Sequence, residues 1–263
     1  MHSGKTVLIT GASGGIGLEI AKLFAADKYN LILVARNVQK LEELSNELIG
    51  KYSIYVITIS KDLSLLSAPK EIFDYISEKE ITVDFLVNNA GYGGVGAFNE
   101  TNLETELNMM QVNMNALIVL TKLFLPGMVK KKFGRIMNVA STAAFLPGPF
   151  MTIYYATKAF VLSFSEALST ELKNTGVTVT ALCPGPTETR FQERSSIGKT
   201  KLLKFQKMHN AEFVALKGYR AMMKGKRIEI PGLSNKLLLP LLRFSPRILV
   251  LNVIHWLQEV RIK

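Results

Sequence analysis

Lys5-Thr-Val-Leu-Ile-Thr-Gly-Ala-Ser-Gly-Gly-Ile-Gly-Leu-Glu-Ile20 decides the fold. Residues 5–10 form a short β-branched apolar run that ends at glycine, the pattern of a buried strand. The apolar positions Ile16, Ile20, Leu23 and Phe24 then recur at helical spacing. Between the two lies Thr10-Gly-x-x-x-Gly15-x-Gly17. Glycines there permit a tight turn and let the main chain approach a pyrophosphate. The helix N-terminus adds unpaired N–H groups and a partial positive charge. Strand, glycine turn and helix at the start of a βαβ unit point to a dinucleotide. Gly11, Ser13, Gly14, Gly15, Ile16 and Gly17 are the first candidate cofactor contacts. Gly4-Lys5-Thr6 is no P-loop, because it precedes the strand and lacks the upstream glycine.

The same alternation continues outward. Residues 31–35, 52–59, 83–87, 135–139 and 177–182 read as apolar strands. Residues 38–49, 69–78, 104–129, 154–173 and 212–223 read as helices. Continuous apolar strands alternating with helices imply parallel strands covered on both faces. Right-handed crossovers make that an α/β, doubly wound, Rossmann-like parallel sheet flanked by helices. After Pro184 the pattern loosens. We expect one domain over residues 1–263, with a lid insertion at 187–224, a last edge strand within 225–231 and a proline-broken helical tail at 233–263.

Composition agrees with a single large α/β domain: 263 residues, 48% of them hydrophobic. The one cysteine, Cys183, ends an apolar run and reads as a buried structural thiol. One cysteine and no apolar leader at the N-terminus lead us to expect a reducing, cytoplasmic setting. No uninterrupted apolar stretch of spanning length stands out; residues 237–257 are broken by Pro240, Arg243, Pro246 and Arg247. The net charge of +11 is dispersed and comes with no zinc-finger or RNA-recognition motif, so nucleic acid is not an expected partner. It suits a phosphorylated cofactor or anionic acyl carrier, weak attachment to an anionic membrane surface, or a plain solvated surface.

The second strand ends in Val34-Ala35-Arg36-Asn37, with Lys40 one turn later. A site for NAD usually places a carboxylate here, against the adenosine ribose. This chain offers none. Arg36 presents a planar fork that suits a 2′-phosphate, so the expected cofactor is NADP(H). Asp62-Leu63, after the third strand, is placed to meet adenine, although Asp62 would look the same as a helix cap. Asn88-Asn89-Ala90-Gly91 ends the fourth strand at the carboxyl edge, where ligands bind. Asn89, Ala90 and Gly91 are candidate contacts; a tight Asx turn is the alternative.

Tyr154 and Lys158 are four apart on one helix and share a face. An ammonium beside a phenol favours the phenolate, so a lowered tyrosine pKa is expected. Such a phenol can exchange a proton with a developing alkoxide near neutral pH. Ser141 follows a strand at the sheet edge, where its hydroxyl could polarise a carbonyl. Asn113 interrupts a long helix as a poor helix former and could hold a water linking Lys158 to solvent. Together these four point to hydride transfer at a carbonyl carbon.

On these residues the chain resembles the short-chain dehydrogenase/reductases of the catalytic-tyrosine branch. The match rests on residues 10–17, Asn88-Asn-Ala-Gly91, Asn113, Ser141, Tyr154-Tyr-Ala-Thr-Lys158 and Cys183-Pro-Gly-Pro-Thr-Glu-Thr189. The resemblance covers roughly residues 5–190. It implies a nicotinamide cofactor, Tyr154 as acid/base, Lys158 on the nicotinamide ribose, Ser141 orienting the carbonyl and Asn113 maintaining a proton relay. It also implies that Pro184, Gly185, Thr187 and Thr189 border the nicotinamide carboxamide. Pairing through the helices before and bearing the tyrosine is implied, giving a homo-oligomer, dimer or tetramer.

Tyr92, Phe145, Leu146, Phe150, Met151, Phe191 and residues 205–208 are expected near the substrate. Mostly apolar, they suit a small hydrophobic carbonyl or alcohol substrate: a ketone, a 3-ketoester or a 3-oxoacyl group. Arg190, Arg194 and residues 199–207 could meet an anionic group, or form a solvated lid face. The main expectation is an NADPH-dependent carbonyl reductase. Its rivals are an NAD-dependent alcohol or steroid dehydrogenase and a non-catalytic nucleotide-sensing relative. Peripheral membrane contact by the tail is a further reading; burial of its leucines is preferred.

Overall fold

The computed structural model describes residues 4–189 and 208–259. It contains β1 (Thr6–Thr10), α1 (Gly15–Ala26), β2 (Asn30–Ala35), α2 (Val38–Tyr52), β3 (Val56–Ser60), α3 (Ala68–Glu78) and β4 (Val83–Asn88). Then come α4 (Leu103–Met110), a π-helical turn (Gln111–Asn115), α5 (Ala116–Lys130), β5 (Gly134–Val139), a 3₁₀ turn (Thr142–Phe145), α6 (Thr152–Glu171) and β6 (Val177–Leu182). The chain continues with β7 (Thr187–Glu188), β8 (His209–Asn210), α7 (Ala211–Met223), β9 (Ile228–Glu229), α8 (Leu233–Phe244) and α9 (Arg247–Gln258).

Seven parallel strands lie in the order β3-β2-β1-β4-β5-β6-β9. The order reverses between β1 and β4, which opens a crevice at their carboxyl ends. Strand side chains alternate between faces. Val7, Ile9, Leu31, Leu33, Phe85 and Val87 pack with Ile20 and Phe24 of α1 and Leu41, Leu44 and Leu48 of α2. Leu8, Ile32, Val34, Leu86 and Ile136 pack the other way, with Ile72 and Ile76 of α3 and Leu120, Phe124 and Met128 of α5. The strands read as continuous apolar runs because both faces are covered.

Polar staples fix the sheet edge that carries the site. The Asn88 amide donates to Thr121 Oγ1 (3.1 Å) and Asn138 Oδ1 (2.9 Å), and Asn138 donates to Ser165 Oγ (2.9 Å). This chain is buried and links β4, β5, α5 and α6. Asp84 accepts from the Thr6 N–H (2.9 Å) and from Lys131 Nζ (2.7 Å), holding the start of β1 against the end of α5.

One reading needs correction. The proposed lid at 187–224 runs too far. Val214, Ala215, Tyr219 and Met222 of α7 are core residues, and Gly218 leaves room for Leu182, whose Cδ2 lies 2.7 Å from where a Cβ would stand. The helical spacing of these residues supplied the core positions that the basic stretch before them lacked. Leu103–Lys130, although interrupted by Asn108, Asn113 and Lys122, is one helical run long and apolar enough on average to cross a membrane. Its Leu117, Leu120, Phe124 and Met128 are buried in the cores of this domain, so here it is a covering helix of the sheet.

Candidate active site

The glycine turn sits at the reversal point. Gly11 and Gly15 have φ of +68° and +57°, a region that disfavours side chains. Thr10 Oγ1 accepts from the N–H groups of Asn89 and Ala90, both at 3.0 Å. The Asn89 amide donates to the carbonyls of Thr10 (2.9 Å) and Gly11 (3.2 Å). The Asn89 side chain therefore braces the turn. A Cβ on Gly17 would lie 2.4 Å from Asn89 Nδ2 and 2.5 Å from the Gly11 carbonyl oxygen. A Cβ on Gly15 would lie 2.9 Å from Thr189 Cγ2, so Thr189 closes over the turn from the β6 side. Space beside Gly14 is open, and the N-terminus of α1 has no side-chain cap. Unfilled space against uncapped N–H groups fits a dinucleotide pyrophosphate. Ser13 and Ile16 complete the turn; Ile16 also packs on the core.

Arg36 and Asp62 lie at the far end of the crevice. Their side chains are exposed and 3.7 Å apart. Burial works to raise the Asp62 carboxyl. The hydrogen bonds from Ser64 and the neighbouring guanidinium outweigh it and hold the carboxyl below its ordinary value. Asp62 Oδ1 accepts from the Ser64 N–H (3.0 Å), the local turn that was its alternative reading. The long, exposed pair leaves Arg36 at the rim without tight neutralisation. Lys40 N–H donates to Asn37 Oδ1, which caps α2. Leu63 is buried in the core beside Ala68 and Ile72, so only its main chain remains for a cofactor.

The reactive end gathers Asn113, Ser141, Tyr154 and Lys158. All four are buried. Ser141 caps the 3₁₀ turn, accepting from the Ala143 N–H (3.1 Å), and its hydroxyl donates to the Pro184 carbonyl (3.4 Å). It also hydrogen-bonds Tyr154. Lys158 Nζ donates to the Val139 carbonyl (2.8 Å) and lies 5.9 Å from the Tyr154 ring centroid. Asn113 sits in the π-helical turn, where its Oδ1 accepts from the Tyr92 N–H (3.1 Å). Its Nδ2 donates to the Tyr92 carbonyl (3.0 Å) and Thr157 Oγ1 (3.1 Å). Thr157 in turn donates to the Tyr154 carbonyl (2.8 Å). Gly91 makes this convergence feasible, since a Cβ there would come within 3.0 Å of Asn113 Oδ1 and 3.4 Å of Lys158 Nζ.

The lowered tyrosine pKa does not appear. Burial pushes the Tyr154 phenol up to about 12, only partly offset by the Ser141 hydrogen bond. Burial also brings Lys158 down to about 8, with Cys183 working the other way. The ammonium is spent on the Val139 carbonyl, and desolvation dominates both groups. Cys183 is raised to about 12, first by burial, which agrees with an inert structural thiol.

Pro184 and Gly185 reach the same edge from β6. Thr187 donates to the Gly185 carbonyl (2.9 Å). A Cβ on Gly185 would meet Asn235 Nδ2 of α8 at 2.7 Å. Arg190, Phe191, Arg194 and residues 199–207 lie outside the described residues. Tyr92, Leu146 and Met151 pack with Tyr154 and Tyr155 in one apolar cluster.

Burial of the tail against the domain was the preferred reading; that α9 reaches Tyr155 was not foreseen. Val250, Ile254 and Gln258 of α9 are buried, and Leu257 packs on the Met151–Tyr154–Tyr155 cluster. Gln258 is fully buried and donates to the Tyr155 hydroxyl. The His255 ring lies 4.9 Å from that of Phe150, tilted by 52°, and Phe150 has a φ of +62°. The signal was present as a glutamine in register, four residues per step, with two apolar residues. A cleft of about 700 Å³ lies between α9 and the 145–149 loop, lined by Phe145, Leu146, Tyr155 and Val250. Tyr154 and Lys158 do not line it. Replacing Gln258 with alanine is expected to cost about 1–3 kcal/mol, because the buried Tyr155 hydroxyl loses its donor. Thermal unfolding checks this; a variant as stable as the parent would show that the contact adds nothing.

A parallel sheet with a glycine turn at its reversal point and a Ser–Tyr–Lys cluster on the same edge defines a dinucleotide-dependent oxidoreductase. The chain belongs to the short-chain dehydrogenase family, whose model matches residues 5–199. It is 31% identical over 212 residues to an uncharacterized oxidoreductase of Staphylococcus epidermidis, covering 81% of this chain and 90% of that protein. It is 38% identical over 184 residues to a very-long-chain 3-oxoacyl-CoA reductase of Pyrenophora tritici-repentis, covering 67% of this chain and 53% of that longer protein. Among solved structures, a short-chain dehydrogenase from Sphingobium yanoikuyae in complex with NADPH superposes with a TM-score of 0.81 at 29% identity. That match covers 92% of this chain and 97% of the other.

Proposed function

We propose that this oxidoreductase is an NADPH-dependent carbonyl reductase of the catalytic-tyrosine branch, acting on a hydrophobic ketone, 3-ketoester or 3-oxoacyl group. The observation that carries the reading is the buried Tyr154 hydroxyl, hydrogen-bonded to Ser141 and flanked by Lys158. A phenol held near 12 keeps its proton at neutral pH. It is therefore ready to donate to an oxygen that becomes an alkoxide, the direction of reduction.

Each residue has a part. The turn at 11–17 and the N-terminus of α1 would hold the pyrophosphate. Arg36 would meet a 2′-phosphate, with Asp62 steadying the guanidinium. A bound reduced nicotinamide supplies hydride. Ser141 positions the substrate oxygen, and Tyr154 protonates it. Lys158, at about 8, is mostly charged at pH 7. It stabilises the phenolate left behind and would donate to a ribose hydroxyl alongside. Asn113, clamped by Tyr92 and Thr157, opens a relay that restores the proton. The NADPH-bound relative and the 3-oxoacyl-CoA reductase relative support the choice of nucleotide and carbonyl class. In the same reading the protein works in the cytoplasm as a homo-oligomer paired through α5 and α6, and the basic stretch after Thr189 covers the substrate.

Replacing Arg36 with alanine is expected to raise the KM for NADPH about tenfold, the scale of one charge-assisted contact, and to leave that for NADH near its starting value. Steady-state titration of both nucleotides reads this. An equal change in both would remove Arg36 from phosphate recognition.

A further inference from the structure

The C-terminal helix α9 (Arg247–Gln258) has two apolar faces. One carries Val250, Ile254 and Gln258 and is buried against the domain. The other carries Leu249, Val253 and Trp256, spaced i, i+4, i+7, and these are 57%, 55% and 49% exposed. Ile248 flanks them at 63%. In α8, Leu233 and Leu237 are 78% and 70% exposed, one turn apart. Solvent-facing helix surfaces ordinarily carry polar side chains, and grouped exposed apolar residues mark a contact surface.

Charge selects the occupant. Between Pro231 and Lys263 the sequence holds five basic residues, Lys236, Arg243, Arg247, Arg261 and Lys263, against one acid, Glu259. Lys236 pairs with Glu229 (3.2 Å), while Arg247 is exposed at the start of α9. A second copy of this chain would set one basic tail against another, within a molecule of net charge +11. An anionic lipid surface would instead accept both the leucine-rich stripe and its cations. Tryptophan beside cationic residues is the composition found at the headgroup level of a bilayer.

We propose that the outer face of α9 docks on the surface of an anionic lipid bilayer. The helix lies in the interface plane. Leu249, Val253 and Trp256 enter the acyl boundary, and Arg247 meets headgroup phosphates. Docking leaves the inner face of α9 in place over the Met151–Tyr155 cluster. The oxidoreductase is thereby held at the phase where hydrophobic carbonyl compounds concentrate. The proposal does not depend on which carbonyl is reduced.

Trp256 is the only tryptophan in the chain, so its emission reports on the stripe without a label. The full chain would be mixed with phosphatidylglycerol/phosphatidylcholine vesicles and with pure phosphatidylcholine vesicles. The expected result is a blue shift and co-sedimentation with the anionic vesicles, weaker by about tenfold or more on the neutral ones and at high salt. The Leu249→Ser/Val253→Ser variant should lose binding by a similar factor. Its exposed sites predict an unchanged unfolding temperature, and Arg247→Glu provides a second variant that spares the apolar stripe. The proposal fails if the parent stays in solution with anionic vesicles, or if both variants bind as it does. It also fails if the serine variant changes only the oligomeric mass in sedimentation velocity, an outcome that assigns the face to a second copy.

Discussion

Replacing Tyr154 with phenylalanine should lower kcat by about 100- to 10,000-fold, the usual worth of a positioned acid/base, and leave nucleotide affinity and unfolding temperature close to the parent. The ring keeps its packing with Met109, Ala143 and Met151. Only the hydroxyl is lost, and with it the hydrogen bond to Ser141. Measured by turnover and by nucleotide fluorescence titration, the two effects should separate cleanly. A phenylalanine variant with near-parental kcat would remove Tyr154 from the chemistry. The tyrosine at 155 offers no substitute: its hydroxyl is taken by Gln258, and burial raises it further than its neighbour.

Replacing Gly17 with alanine should weaken nucleotide binding at least about tenfold and destabilise the fold by about 1–3 kcal/mol, as overpacking of a closed site does. The added Cβ would fall 2.4 Å from Asn89 Nδ2 and 2.5 Å from the Gly11 carbonyl oxygen. Asn89 cannot retreat without giving up its bonds to Thr10 and Gly11. The collision therefore spreads from α1 into the end of β4 and distorts the turn from both sides. Isothermal titration with NADPH and chemical denaturation check the two parts. Parental affinity in this variant would mean that the turn has slack absent from the structure.

The doubly wound sheet was legible because its signal is periodic and local. Continuous strands such as residues 31–35 and amphipathic helices such as 38–49 announce themselves one element at a time. The tetrad was legible because each member stands at the end or face of such an element. What sequence could not show was energetic balance and distant contact. The phenol beside a lysine promised a lowered pKa, yet burial is the largest influence on both groups and raises the phenol. No local signal told that the fold turns the Asn89 amide onto the glycine turn 79 residues earlier. The π-helical turn at Asn113 leaves no local signature beyond a poor helix former inside a helix. Helix α7 was legible as a helix over 212–223 but was assigned to the lid, because its core positions follow a long basic stretch. Gln258 meets Tyr155 across 103 residues, a contact that no spacing rule reaches.

The central claim is reduction of a hydrophobic carbonyl with NADPH. Its most direct test is the initial rate of nucleotide oxidation with NADPH and with NADH, across hydrophobic ketones, 3-ketoesters and 3-oxoacyl thioesters, using the full chain. The account predicts turnover of at least one class, with NADPH preferred over NADH by kcat/KM. Tight NADPH binding without turnover of any of them, or a preference for NADH, would contradict it.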